Sequence, residues 1–264
     1  MNSARLESKW LGFLVAWHIL EHRKQLPKHW YNSSPRAKDE NMVKKLSAEF
    51  LGSLFLAASV IGSGIMVSIL TQDIAVQLFV NTITTVFMLF IIITLFSSIS
   101  GAHFNPLVTI VELFYKRISI KEAGLYVLAQ IIGMSAGAVL ANLMFNKPAI
   151  EQSTYTRSGN YLFLAEVVAS AGLIMSILLL RHQNRASMVS VIVPAWIGAA
   201  YIFTSSTSFA NPAITVARTL SESFTGISIK SVPLFILAQC IGAVLGVLLT
   251  ALLTAEKKEE DVFA

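Results

Sequence analysis

Two short stretches decide the fold: SGAHFNPLVT at residues 100–109 and FANPA at residues 209–213. In each, an Asn-Pro pair begins an apolar run that is too short to cross a bilayer. Proline is favoured in the first turn of a helix, and the asparagine before it is a natural N-cap. The two stretches therefore predict two half-helices. The apolar runs are Phe104–Phe114 and Phe209–Leu220.

Six other apolar runs are long enough to cross a membrane, which takes about 20 helical residues. They are roughly Leu46–Ile69, Leu78–Ile99, Ala123–Met144, Tyr161–Leu180, Met188–Ser205 and Val232–Leu253. Of the 264 residues, 55% are hydrophobic and 13% are charged, whereas about a quarter of a soluble protein is charged. This composition excludes a soluble enzyme and predicts an all-α, multi-pass membrane protein. Lys and Arg form no basic face, so we expect a lipid bilayer as partner and no nucleic acid.

The chain contains an internal repeat. Leu125–Leu143 and Leu234–Leu252 align without gaps and are identical at nine of 19 positions. Each half, about residues 46–145 and 160–254, is then two spans, a half-helix and a span. Three crossings per half turn the second half upside down relative to the first. We therefore predict an inverted repeat whose half-helices meet at the membrane midplane and line a pore.

Basic residues are unevenly divided between the two sides of the predicted bundle. The side of the termini carries Lys44, Lys45, Lys116, Arg117, Lys121, Arg181 and Arg185, and the other side carries Lys147, Arg157 and Lys230. The positive-inside rule then predicts that both termini are cytoplasmic. We divide the chain into an N-terminal arm at 1–41, a channel domain at 42–254 and a tail at 255–264. The arm is interpreted as disordered, with a surface-lying amphipathic helix as the alternative.

The two Asn-Pro motifs resemble the paired signatures of the aquaporin, or major intrinsic protein, family. The motif residues are Asn105, Pro106, Leu107, Asn211, Pro212 and Ala213. The resemblance covers residues 42–253 and is greatest to the bacterial, aquaglyceroporin-like branch associated with arsenic-resistance genes. It implies a homotetramer in a bacterial plasma membrane, with one pore per subunit and with neither enzyme activity, metal nor cofactor. Leu107 departs from the family, which usually has alanine there, and we expect it to alter the contact between the half-helices.

Four polar residues inside the spans are predicted to support the half-helices. An ionisable group there costs at least ~2.5 kcal/mol, so Glu49 and Glu166 must have a function. The resemblance implies that each accepts hydrogen bonds from the loop beside an Asn-Pro motif, and proton relay is the alternative. Gln130 and Gln239, which occupy matched positions of the repeat, are predicted to give similar support.

Other polar residues are predicted to line or flank the pore. Asn105 and Asn211 would point amide donors at passing water, which interrupts proton relay, and the half-helix dipoles would oppose cations. His103 is expected at the cytoplasmic mouth or in a packing role. Glu112 is expected to be solvated or paired with Lys116.

The outer selectivity filter departs from the family pattern. The resemblance assigns it to Thr85, Ala199 or Ala200, Ser208 and Ile214, the last in place of the usual arginine. None of these has an aromatic ring, so we expect a wide filter that passes water and also glycerol, urea or a neutral metalloid hydroxide such as arsenite. Arg218, one helical turn beyond Ile214, either lines the same pore or caps carbonyls or meets Glu222.

Two other functions compete with a passive channel. A secondary active transporter also uses inverted repeats and midplane sites, but it needs ligands for a coupling ion, and the spans offer only Glu49 and Glu166. A non-conducting membrane scaffold is the third hypothesis, and Leu107 is the one feature in its favour.

Overall fold

The computed structural model of the protein describes residues 40–255, and within this range the chain forms eight α-helices. They are α1 (Glu40–Leu70), α2 (Ile74–Ser100), α3 (Pro106–Phe114), α4 (Ile120–Met144), α5 (Asn160–His182), α6 (Val189–Phe203), α7 (Pro212–Ala217) and α8 (Val232–Thr254). The arm predicted at 1–41 lies outside the described residues except for its last two. The tail predicted at 255–264 lies outside them except for its first.

Six of the helices, α1, α2, α4, α5, α6 and α8, are long and apolar enough to cross a membrane. The prediction of six spans is confirmed, and the chain is a multi-pass membrane protein. Helix α1 begins at Glu40 rather than at Leu46 because lysine is a good helix former and continues the helix beyond its apolar part. A 3₁₀ turn, Ala186–Met188, precedes α6.

The order of elements is span, span, half-helix, span, and it occurs twice. Since each span reverses the direction of the chain, α1 begins and α8 ends on the same face, which we call the terminal face. The half-helix α3 ends toward this face, and α7 ends toward the opposite face. The structure therefore has the predicted inverted arrangement.

Glycines bring the matched spans of each half into close contact. A Cβ atom on Gly137 of α4 would lie 2.2 Å from the carbonyl oxygen of Leu54 in α1. In the second half, a Cβ on Gly246 of α8 would lie 2.5 Å from the carbonyl oxygen of Ala171 in α5. Only glycine permits so close a backbone approach. The helix pairs α1–α4 and α5–α8 thus form the two matching walls of the bundle.

The half-helices begin where the Asn-Pro motifs predict. Asn105 caps α3 by accepting from the Leu107 amide at 2.9 Å, and Asn211 caps α7 by accepting from the Ala213 amide at 3.0 Å. Pro106 and Pro212 fill the first helical position of each. Helix α7 is shorter than predicted, and a 3₁₀ turn, Arg218–Leu220, continues it.

Candidate functional site

The two Asn-Pro loops meet at the centre of the bundle and bond to each other. The Asn105 Nδ2 donates to the carbonyl oxygen of Ala210 at 2.8 Å, and the Asn211 Nδ2 donates to that of Phe104, also at 2.8 Å. A side-chain amide has two N–H donors, so each asparagine keeps one for another acceptor. Both residues line the same central lumen.

The backbone before each asparagine adopts an unusual conformation at matched positions. Phe104 and Ala210, one residue before each asparagine, have φ of 48° and 45°. Ala102 and Ser208, three residues before, have φ of 52° and 46°. Non-glycine residues with positive φ are uncommon and are held by surrounding contacts. This conformation aims successive backbone groups of each loop in different directions, some toward the lumen and some toward the spans.

In the first half, Glu49 of α1 holds the loop. Its Oε1 accepts from the Ser100 hydroxyl at 2.6 Å and from the His103 amide at 2.9 Å. Its Oε2 accepts from the Phe104 amide at 2.8 Å and from Gln130 Nε2 at 2.8 Å. The carboxylate is fully buried, and four donors offset the cost of that burial.

In the second half, Glu166 of α5 holds the matching loop in the same way. Its two carboxylate oxygens accept from the amides of Phe209 at 2.9 Å and Ala210 at 3.0 Å. Gln239 Nε2 donates to Glu166 at 2.7 Å. Both glutamates and both glutamines thus lie where the predicted support role requires.

Two threonines that the sequence analysis missed complete this scaffold. Thr109 and Thr215 each lie four residues after an Asn-Pro asparagine, and each hydroxyl donates to the carbonyl of that asparagine, at 3.1 and 2.8 Å. Each hydroxyl also accepts from the neighbouring glutamine, Gln130 or Gln239, at 2.9 Å. The threonine shared by NPLVT and NPAIT was the signal in the sequence.

A lumen runs past the two asparagines and is lined by residues of both halves. Its walls are largely aliphatic, with a polar stripe along the two loops. Among the described residues, no carboxylate lines it. The polar and aromatic side chains on the lumen are Thr85, His103, Phe104, Asn105, Arg181, Tyr201, Ser208, Phe209, Asn211 and Arg218.

The structure places Thr85, Ser208 and Ile214 on the lumen, as the filter assignment predicts. It corrects the assignment on the fifth span, because neither Ala199 nor Ala200 faces the lumen. Helix α6 instead presents every fourth residue, and a helix turn of 3.6 residues keeps these on one face. The lumen-lining residues of α6 are Val189, Val193, Ile197 and Tyr201. Ala199 is exposed on another face of α6, and Ala200 is fully buried.

Tyr201 changes the expected character of the filter. Its hydroxyl lies 3.4 Å from the Thr85 hydroxyl, and the residue is 3% exposed. Phe209, which the sequence analysis also missed, is a lumen residue too, and its ring packs against the Phe235 ring of α8 at 5.0 Å. The prediction of a filter without an aromatic residue is therefore wrong, since aromatic and hydroxyl groups lie together there.

Arg218 also lines the lumen. Its guanidinium carbon lies 3.5 Å from the centroid of the Phe209 ring, and its Nε donates to the Thr225 carbonyl. Its Nη1 is buried and has no hydrogen-bond partner among the described residues. Glu222 instead accepts from the Thr154 amide. Arg218 therefore both caps a carbonyl and lines the lumen, so the two alternatives drawn from the sequence are combined.

His103 lies on the lumen toward the terminal face. Its Nδ1 is 3.1 Å from the Thr109 hydroxyl, and its ring packs edge-on against Tyr126 at 5.1 Å. The imidazole is thus held between Thr109 and Tyr126 at this end of the lumen.

Two remaining expectations concern Leu107 and Glu112. Leu107 is 2% exposed and lies away from the lumen, in an apolar groove with Cys240 and Val247 of α8. Its side chain packs against α8, and its effect on the contact between the half-helices stays a prediction. Glu112 is neither solvated nor paired with Lys116, because it forms ion pairs with Arg117 at 3.0 Å and Arg181 at 3.1 Å.

Comparisons with known proteins agree with this architecture. The chain is 42% identical over 205 residues to the aquaglyceroporin AqpS of Rhizobium meliloti, covering 77% of this chain and 87% of that protein. It is 26% identical over 231 residues to aquaporin NIP3-1 of Arabidopsis thaliana, covering 83% of this chain and 70% of that protein. The X-ray structure of the aquaglyceroporin from Plasmodium falciparum superposes with a TM-score of 0.63 at 20% identity, covering 80% of this chain and 96% of that one. That likeness shows the fold.

The sequence profile of the major intrinsic proteins matches residues 36–210 and 202–264, which together span both halves of the repeat. With the paired Asn-Pro motifs, the six spans and the central lumen, this match establishes that the chain belongs to the major intrinsic protein family.

Proposed function

We propose that the lumen passes water and, in addition, small uncharged solutes that both donate and accept hydrogen bonds. Glycerol, urea and a neutral metalloid hydroxide such as arsenite are the solutes of this class to test. One observation carries the proposal. Ser208 Oγ and Arg218 Nη1 are buried without partners among the described residues, and both residues line the lumen beside the Tyr201 and Phe209 rings.

The free energy of these polar atoms explains the preference. A buried polar atom without a partner costs about 1–3 kcal/mol, and a solute that bonds to it recovers part of that cost. Tyr201 and the aliphatic residues of the lumen, such as Ile197 and Ile214, offer apolar surface to the carbon atoms of the same solute. A filter of this kind favours a molecule with hydroxyl groups on one side and carbon on the other.

The same lumen opposes cations. Two half-helices point their positive ends at its centre, and each asparagine keeps one N–H donor for a passing oxygen atom. Arg218 adds a positive charge nearer to the opposite face. A water molecule that accepts from both asparagines cannot pass a proton along the file, so we expect protons to be excluded with other cations.

The glutamates support the loops rather than relay protons. Each Glu49 oxygen already accepts two hydrogen bonds, and neither glutamate lines the lumen. A secondary active transporter needs ligands for a coupling ion on the solute path, and the described lumen has no carboxylate. The observations therefore favour passive conduction.

We further propose a homotetramer with one lumen per subunit, set in a bacterial plasma membrane with both termini in the cytoplasm. The resemblance to the family supports the tetramer. The excess of Lys and Arg in the loops of the terminal face supports the orientation. Chemical cross-linking of the protein in membranes and protease protection of terminal tags test these two statements.

Swelling of proteoliposomes in gradients of water, glycerol, urea and arsenite tests the function. We expect rapid flux of water and of at least one of the three solutes, unchanged by a pH or sodium gradient. Ser208→Trp fills the lumen and should abolish the flux, whereas Ser205→Trp, on an exposed residue of the same loop, should leave it intact. Flux that follows the sodium or proton gradient would instead establish a transporter.

A further inference from the structure

A cluster of charges lies at the terminal-face mouth of the lumen, with a buried carboxylate between two partly exposed arginines. Glu112, near the end of α3, is 3% exposed in its side chain. Its Oε1 lies 3.0 Å from Arg117 Nη1, and its Oε2 lies 3.1 Å from Arg181 Nη1. Two arginines thus share one carboxylate, so the cluster has a net charge of +1.

Only one member of this cluster reaches the solute path. Arg181, in the last turn of α5, lines the lumen together with Ile177 one turn before it and Val189 at the start of α6. Glu112 and Arg117 lie behind it. A carboxylate that accepts from a guanidinium fixes its position, so Glu112 holds Arg181 at the edge of the lumen.

Each half of the repeat places an arginine on the lumen, but the two halves do so in different ways. Glu112 lies seven residues after Asn105, and Arg218 lies seven residues after Asn211. In the second half the residue at this position is itself the arginine on the lumen. In the first half it is the carboxylate that holds an arginine of a neighbouring span. One arginine therefore lines the lumen toward each face, with the asparagines between them.

We propose that Arg181, positioned by Glu112, is a second charge filter, which repels cations at the terminal-face mouth before they reach the asparagines. This inference rests on the proposed function only in that the lumen is the solute path. Cations from the terminal side meet Arg181 first, and cations from the opposite side meet Arg218 first. Neutral solutes pass both residues and use their N–H groups as donors.

The local potential at this mouth can be measured directly. Val189→Cys and Ile177→Cys, each in a Cys240→Ala background, place one thiol on the lumen near Arg181. The rates of labelling by an anionic and by a cationic methanethiosulfonate reagent are compared by mass spectrometry at low salt. We expect Arg181→Ala to lower the anionic-to-cationic rate ratio by roughly threefold to tenfold, as the loss of one nearby charge in a hydrated mouth implies.

A second substitution distinguishes an effect of charge from an effect on structure, because it should change the rate ratio in the opposite direction. Glu112→Gln removes the negative charge of the cluster but keeps a side-chain oxygen that accepts from Arg181, so the rate ratio should rise, opposite to the effect of Arg181→Ala. Arg185→Ala removes the same charge from an exposed residue four positions further along the chain and should leave the ratio within twofold, since a charge surrounded by bulk water acts only weakly at a distance. A ratio that is unchanged by Arg181→Ala, or that moves the same way in both variants, would overturn the proposal. Solute flux, measured separately by swelling, reports whether the proposed function itself holds.

Discussion

Arg218 occupies a position seven residues after its Asn-Pro asparagine, and its charge is held between a carbonyl and a ring. We expect Arg218→Ala to raise the sodium or proton leak severalfold at low salt, because the lumen loses a positive charge toward the opposite face. The difference in leak between the variant and the wild type should shrink as salt is added, since screening removes the contribution of the charge in the wild type as well. A fluorescent pH or sodium indicator inside proteoliposomes measures it.

Arg218→Lys is the matched control. It keeps the charge but loses the planar group that stacks on Phe209 and reaches Thr225, so exclusion of cations should largely survive while the solute preference changes. If Arg218→Ala leaves the leak at the level of the wild type, the barrier lies at the asparagines or at the other mouth.

Glu166 accepts hydrogen bonds from two loop amides and from Gln239. In Glu166→Gln, one acceptor oxygen becomes an NH₂ group that faces a donor. We expect the variant to lose about 2 kcal/mol or more of stability, seen as a lower thermal unfolding temperature in detergent. Glu151→Gln changes a carboxylate whose side chain is 36% exposed and paired with Lys147, so its effect should be within about 0.5 kcal/mol. Equal effects of the two changes would contradict the support role.

Among individual residues, sequence reasoning found the paired asparagines, glutamates and glutamines of the repeat but missed its paired threonines, Thr109 and Thr215. Glu49 and Glu166 stood out because a charge inside a span needs a partner, and the structure places both against the loops. Tyr201 was missed because loop spacing assigned Ala199 or Ala200, whereas the lumen face of α6 is set by how that helix is rotated against α2 and α5. Rotation of a helix that is apolar on all sides leaves no pattern in the sequence.

At the scale of helices, the crossing of α1 and α4 depends on Gly137. A Cβ there would meet the Leu54 carbonyl at 2.2 Å, so Gly137→Ala must move one helix. We expect a loss of about 1–3 kcal/mol, as for other overpacked sites. Gly124→Ala, in the same helix, meets nothing within 4 Å and should keep or raise the stability, because alanine is the better helix former. Thermal unfolding of the two purified variants decides, and a stable Gly137→Ala would show that the crossing can adjust.

Asn211, at the start of α7, caps the helix, lies at the positive end of the helix dipole and donates a side-chain N–H. Asn211→Asp keeps the cap, because the carboxylate still accepts from the Ala213 amide, but it replaces the donor by a negative charge. We expect cation leak to rise at least tenfold while solute flux persists, with potassium current across a planar bilayer as the measurement. The bond to the Phe104 carbonyl is also lost. If solute flux is lost and cation leak stays at background, the change has disrupted the loop rather than the barrier to cations.

Helix boundaries were predictable where chemistry fixes them. The Asn-Pro pairs set the starts of α3 and α7 to the residue. The end of α7 was not predictable, because the 3₁₀ turn that follows it, Arg218–Leu220, lies where Arg218 bonds to Thr225 across the loop. The contact between Arg218 and Thr225 bridges a loop. A contact across a loop leaves no signature in the apolar periodicity of a helix.

For the whole molecule, passive conduction requires equal permeability in both directions. Reversing the glycerol gradient across proteoliposomes should give influx and efflux rates that agree within experimental error, even though Arg181 faces one mouth and Arg218 the other. Charge at a mouth alters the entry of ions but has little effect on a neutral molecule. Rates that differed severalfold with direction would point to a coupled or rectifying process.

The crossed bonds at the centre have a consequence for synthesis on the ribosome. The amide of Asn105 bonds to Ala210, and the carbonyl of Phe104 bonds to Asn211, so each loop finds its partner only in the other half. When the first four helices have emerged, α3 has its cap and Glu49 but no acceptor for the Asn105 amide. In the nascent first half, the Asn105 amide therefore lacks this acceptor until Ala210, 66 residues after the end of α4, has been made, which takes several seconds or more. The centre of the pore can therefore form only after the second loop has folded back from the opposite side to meet the first.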